Sequence, residues 1–155
     1  MSGTTDDPLS PEFEVVLKYG EGSDAGVTTE TYIFRKPGIY HRIELGYRAA
    51  EVRRKAYPGS GGILDFAVDR ATVDFAQNCA IMEMYLVRSN QTWPFTPGED
   101  GKPVVDSSKF PPDREQTVWD IGDSFSKQVL RFRTRRNTAG PQAGSQAVGG
   151  QPNPG

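Results

Sequence analysis

The 155 residues suffice for one domain around one core, and a composition 25% charged and 35% hydrophobic, with a mean hydropathy of -0.58, is that of an ordinary globular chain. The net charge of -2 argues against a dedicated nucleic-acid binder, and the lone Cys79 excludes an intrachain disulfide. With His41 as the sole histidine, hydrolytic triads and zinc sites lack the partners they need.

Residues 1–10 are small, polar and acidic and are expected to fray, leaving 11–136 as a single α+β domain and 137–155 as a tail. Phe13, Val15, Leu17 and Tyr19 alternate with Glu14, Val16 and Lys18, the period of a strand with one buried face. Val27 to Phe34 forms a second run rich in β-branched and aromatic residues. The glycines between Gly20 and Gly26 suit a hairpin loop, so the two runs predict an antiparallel hairpin. Its apolar face needs helices or another subunit to cover it.

Lys36-Pro37-Gly38 ends the second strand, and a first helix is expected from Ile39 to Ala56, with Ile39, Ile43, Gly46, Tyr47 and Ala50 on one stripe. Tyr57 to Gly62 stops it with a proline and several glycines. A second helix, Leu64 to Arg88, is expected to be central, since Val68, Ala71, Thr72, Phe75, Cys79, Met82 and Leu86 recur at three and four residues. The proline-rich stretch 93–112 holds too many breakers for regular structure and is expected to be a long loop. A third helix opens at Asp113, which with Gln116 makes a cap, and carries the stripe Val118, Ile121, Gly122, Phe125, Val129 and Phe132. From Thr138 onward no large apolar side chain occurs, which predicts a flexible tail. The expected fold is thus α+β: an N-terminal antiparallel β-hairpin followed by three helices, with a disordered C-terminal tail.

No catalytic, cofactor-binding or metal site emerges from these residues. His41, beside Arg42 on a surface-biased part of the first helix, reads as solvated, and Cys79 as a packing residue. Asp65, Asp69 and Asp74 follow helix-start logic and lack the spacing of a calcium loop. Pro58 to Gly62 follows a helix and lacks the lysine of a phosphate-binding loop, which makes it a linker. Arg131 to Arg136 could form a basic patch with Phe132 interleaved, although a last helical turn snorkelling around Phe132 accounts for it as well. Trp93-Pro94-Phe95 is either a plug over the helices or an exposed anchor. The N-terminus has no basic region leading into an apolar run, and no segment has the apolar length of a membrane span, so a cytoplasmic setting is expected.

Three segments carry a family resemblance: Tyr32-Ile33-Phe34-Arg35-Lys36-Pro37, Ile43-Glu44-Leu45-Gly46-Tyr47-Arg48-Ala49-Ala50, and Ala80 to Trp93. In their order, the chain resembles the tail assembly chaperones of long-tailed bacteriophages. The resemblance implies a non-enzymatic role in the host cytoplasm, coating a long helical tape measure protein and delivering it to other tail proteins, without cofactor or membrane. The proline-rich insertion at 93–112 departs from that pattern. Partner binding on this basis is helix-in-groove, through apolar side chains beyond what one stripe can bury: Tyr40, Leu45, Tyr47, Val52, Trp119 and Phe125. Two other functions stay open, a structural virion subunit and a nucleic-acid-contacting module built on the arginines of the last helix. A homo-oligomer is compatible with all three.

Overall fold

The structure, a computed structural model, describes residues 10–56 and 70–138, with side chains as far as 134. Strands β1 (Glu12–Tyr19) and β2 (Thr28–Arg35) form the expected antiparallel hairpin, with Phe13 opposite Phe34 and Val15 opposite Tyr32. Those four side chains share one face and are all buried. The loop between the strands needs glycine at its first position: Gly20 has φ +86°, and a Cβ there would sit 2.5 Å from the Gly26 carbonyl oxygen.

Three helices cover this face: α1 (His41–Ala56), α2 (Arg70–Tyr85) and α3 (Glu115–Thr138). Phe125 of α3 lies at the centre of the core, with ring centroids 5.3 Å from Phe13, 5.2 Å from Phe34 and 5.7 Å from Tyr85. Small residues let the helices approach, with Ala49 of α1 and Ala80 of α2 buried between them. Where α2 meets α3, Gly122 leaves room for the Asn78 amide.

The order of elements differs from the expected hairpin and three uninterrupted helices, because strands intervene between α2 and α3. The second helix was expected to run to Arg88, yet it ends at Tyr85 and the chain continues as β3 (Leu86–Ser89), pairing antiparallel with β2. The sheet order is β1-β2-β3. The helical period runs on through Leu86, so apolar spacing alone cannot mark the boundary. What decides it is the second edge of β2, whose Thr31 carbonyl accepts from the Asn90 amide and the Ser89 hydroxyl. Arg35 then donates to the Met84 carbonyl at 2.9 Å, satisfying an orphan acceptor at the end of α2.

The stretch 93–112, expected to be an irregular loop, holds a second hairpin of β4 (Phe95–Pro97) and β5 (Pro103–Val105), then 3-10 turns at Ser107–Lys109 and Pro112–Arg114. The prolines fit because of where they pair. Gly98 donates to the Lys102 carbonyl, so the next pair, Pro97 opposite Pro103, falls at a non-hydrogen-bonded position where a missing N–H costs nothing. Asp113 likewise lies inside a 3-10 turn instead of capping α3, and Gln116 gives its amide to Asp120.

The linker around residues 57–69, the first six residues of the expected second helix and most of the expected tail lie outside the described residues. Helix α3 itself reaches Thr138, slightly past the expected domain end. Among the described residues, no helix is long and apolar enough to cross a membrane.

Candidate protein-docking surface

Helix α1 shows the core a different face from the one its apolar stripe suggests. His41, Leu45 and Ala49 are buried, with Val52 packed partly against them, whereas Ile43 and Tyr47 point to solvent on the opposite side. Ile39 is 86% exposed, Tyr40 63%, Ile43 58% and Tyr47 73%. Tyr40, Ile43 and Tyr47 stand three and four residues apart, so they form one continuous stripe. It begins where the helix ladder begins, since the Tyr40 carbonyl accepts from Ile43 and Glu44.

Two clefts border the stripe. One, of about 710 Å³, is lined by Tyr47, Glu44, Arg48, Glu51, Glu83 and Arg35 among others, and its charges are mixed. The other, of about 530 Å³, lies between the start of α1 and the end of α3. Pro37, Ile39, Val129 and Phe132 form its apolar wall, and its charged groups, Lys36, Arg42 and Arg133, are all basic. The Lys36 ammonium lies 4.4 Å from the centre of the Phe132 ring.

Polar contacts hold α1 in place beneath this surface. Arg48 pairs with Glu83 of α2 at 2.9 Å, and the Glu83 carboxylate also accepts from the Ser107 amide and hydroxyl. His41 is buried, and its Nδ1 shares a 2.9 Å hydrogen bond with the Tyr85 hydroxyl. Burial, aided by Arg133, lowers the imidazole pKa below its ordinary value, so His41 is a neutral core group and not the solvated histidine expected from its neighbours in sequence. Burial also pushes the Cys79 thiol up to about 12, which leaves it inert as a nucleophile at neutral pH.

The six residues expected to face a partner divide into groups. Tyr40 and Tyr47 do lie on the exposed stripe. Leu45 and Phe125 belong to the core and cannot meet a partner, because each sits on the inward face of its helix. Val52 is partly buried against the core, and Trp119 is half-buried with its ring 5.6 Å from that of Phe75. Ile39 and Ile43 were missed as surface residues: α1 carries two equally regular stripes, and their spacing does not say which one the core takes.

Elsewhere, Trp93 is a plug and not an anchor. Its indole N–H donates to the Tyr32 hydroxyl at 3.2 Å, and its ring meets Phe110 edge-on. Phe132 packs against Phe13, consistent with arginines snorkelling around it. No group of three or more His, Cys, Asp or Glu side chains is placed to hold a metal ion among the described residues.

No protein-family model matches this chain, no curated protein is detectably similar to it, and no solved structure matches it.

Proposed function

We propose that this chain is a non-catalytic docking protein of the tail assembly chaperone kind, which holds amphipathic helical segments of a tape measure protein against α1. One observation carries this reading: Ile39, Tyr40, Ile43 and Tyr47, more than half exposed, lie side by side along one helix edge. Monomeric proteins seldom leave large apolar groups grouped in this way without a partner. Burying each would contribute about 1.5–3 kcal/mol.

The borders of the stripe define the partner's chemistry. A helix laid along it would place an apolar anchor against Val129 and Phe132, with Lys36, Arg42 and Arg133 around it. Acidic residues beside that anchor complement the basic rim. A single helical segment bound this way is held modestly, and many copies of the chain along one long helical partner would coat it by multivalency. Such coating needs no reacting groups, and the resemblance of segments Tyr32–Pro37, 43–50 and 80–93 to tail assembly chaperones supports the same role.

Titration calorimetry with helical peptides from the tape measure protein tests the proposal. Peptides with acidic residues flanking their apolar face should bind, and Tyr47→Asp should weaken binding on the order of a hundredfold, as loss of an aromatic anchor does. Binding that ignores the Tyr47 change, or no binding by any peptide, contradicts it. Recovery of the chain in purified virions would favour the structural-subunit alternative.

A further inference from the structure

Beyond partner docking, we propose that the open edge of β1 pairs with the same edge of a second copy of this chain, joining two sheets across a two-fold axis at Val16. In the sheet order β1-β2-β3, β1 has a neighbour on one side only among the described residues. Which backbone groups face the open side follows from the register. Lys36 donates to the Pro11 carbonyl, so the pairs that exchange bonds with β2 are the odd positions of β1, Phe13, Val15, Leu17 and Tyr19. The even positions, Glu12, Glu14, Val16 and Lys18, point their N–H and C=O groups away from β2. Of these, the Glu12 N–H is already given to the Ser10 hydroxyl.

Glu14, Val16 and Lys18 therefore present a row of backbone donors and acceptors with no β-strand beside it. An antiparallel copy centred on Val16 sets Val16 opposite itself and Glu14 opposite Lys18 in both directions, and every one of these positions becomes a hydrogen-bonded pair. Shifting the register by two residues either sets Glu14 beyond the strand end or sets it opposite Val16, which leaves Lys18 facing Glu12, whose carboxylate is already paired with Arg88 and whose N–H is already given to Ser10. Val16 is 43% exposed, and among the described residues neither Glu14 nor Lys18 has an ion-pair partner of its own. Within one strand they are too far apart to meet. Opposite charges directly across a strand pair are stabilising, so the edge is complementary to itself.

Helix α3 agrees with this arrangement. It runs antiparallel to β1 on the core face, with the Tyr19 hydroxyl on Asp120 and the Phe13 ring 5.4 Å from Phe132. The same two-fold therefore sets two copies of α3 antiparallel on one side of the joined sheet. The acidic first half of one copy, with Asp120, then runs alongside the basic second half of the other, with Arg131, while Asp123 and Lys127 pair with each other within each helix. A dimer built this way carries two α1 docking stripes in one particle, which raises avidity for a long partner.

Sedimentation velocity on the full chain over a range of concentrations tests the proposal without any partner present, so its outcome is independent of the docking reading. The wild type should show a monomer–dimer equilibrium. Glu14→Lys and Lys18→Glu each put like charges opposite each other twice and should weaken the dimer tenfold or more, while the double swap E14K/K18E restores it. Unchanged circular dichroism spectra and Tm exclude misfolding at these surface positions. A wild type that stays monomeric at every concentration overturns the proposal, since the edge charges would then only keep chains apart. A dimer indifferent to all three variants, or one that the double swap fails to rescue, overturns it as well.

Discussion

The Glu30 carboxylate on β2 accepts a 2.6 Å hydrogen bond from the Arg114 guanidinium, joining residues 84 positions apart. Glu30 is buried, and its other oxygen accepts at 2.6 Å from the Tyr32 hydroxyl, which in turn accepts from Trp93. The guanidinium also lies 5.4 Å from the Trp93 ring centre. This network ties the segment before α3 to the middle of the sheet. Tyr32, buried next to Glu30, has its phenol pKa pushed up and stays protonated as the donor.

Arg114→Ala should destabilise the fold by about 2–3 kcal/mol, because it leaves Glu30 charged and buried without its cation. Urea unfolding checks the size. Trp93 fluorescence should shift to the red in the same variant, as the indole loses its cover. Glu30→Gln keeps an acceptor for Arg114 and should cost less.

Core residues of α1 and α3 should separate cleanly on substitution from the surface residues of α1. Leu45→Ala should cost about 2–5 kcal/mol, and Phe125→Ala about 3–5 kcal/mol, through the cavities they leave. Ile43→Asp and Tyr47→Asp should change stability by less than about 0.5 kcal/mol, as surface substitutions do. Thermal unfolding of the four variants measures this, and a large loss from Tyr47→Asp would place it in the core.

How much of this was legible in the sequence depends on which interactions are local. The β1–β2 hairpin and the face carrying Phe13 and Val15 follow from a period of two, and the α3 stripe around Ile121 and Phe125 from a period near 3.6. The end of α2 was hidden because Leu86 continues the helical spacing while its backbone is claimed by β2, a contact distant in sequence. The β4–β5 hairpin was masked by prolines that become harmless only when Pro97 and Pro103 are known to pair. On α1, the stripe through Ile43 and Tyr47 and the stripe through Leu45 and Ala49 have the same regularity, so position against α2 decided between them. His41 looked solvated for the same reason: its neighbour Arg42 is exposed, yet its own ring faces Tyr85 and Phe125.

Stability should fall with acid through His41. Its pKa in the folded chain lies below the ordinary 6.5, because burial, Arg133 and Arg42 oppose the charged form while Glu44 only partly offsets them. Above pH 6.5 the group is neutral in both states and contributes no slope. Below it the unfolded chain takes up the proton first, so stability declines as pH drops from 6.5 toward the lowered folded value. Chemical unfolding between pH 7.5 and about 5 should show this slope in the wild type and a flatter one in His41→Gln.

Charge on the cleft rim should govern how fast an acidic helix docks. Reversing Arg42 and Arg133 together to glutamate should slow association about tenfold at low salt and leave the fold intact. Near 1 M salt, where the screening length is about 3 Å, wild type and variant should converge. Stopped-flow binding of a labelled acidic helix measures both effects.

Photo-crosslinking in the cells that make the chain tests most directly the proposal that the α1 stripe is where a helical partner docks. A photoreactive side chain placed at Ile43 or Tyr47 should capture the proposed helical partner, while one at Val27, exposed but remote on the hairpin loop, should not. Equal capture from all three positions, or none from the stripe, would contradict it.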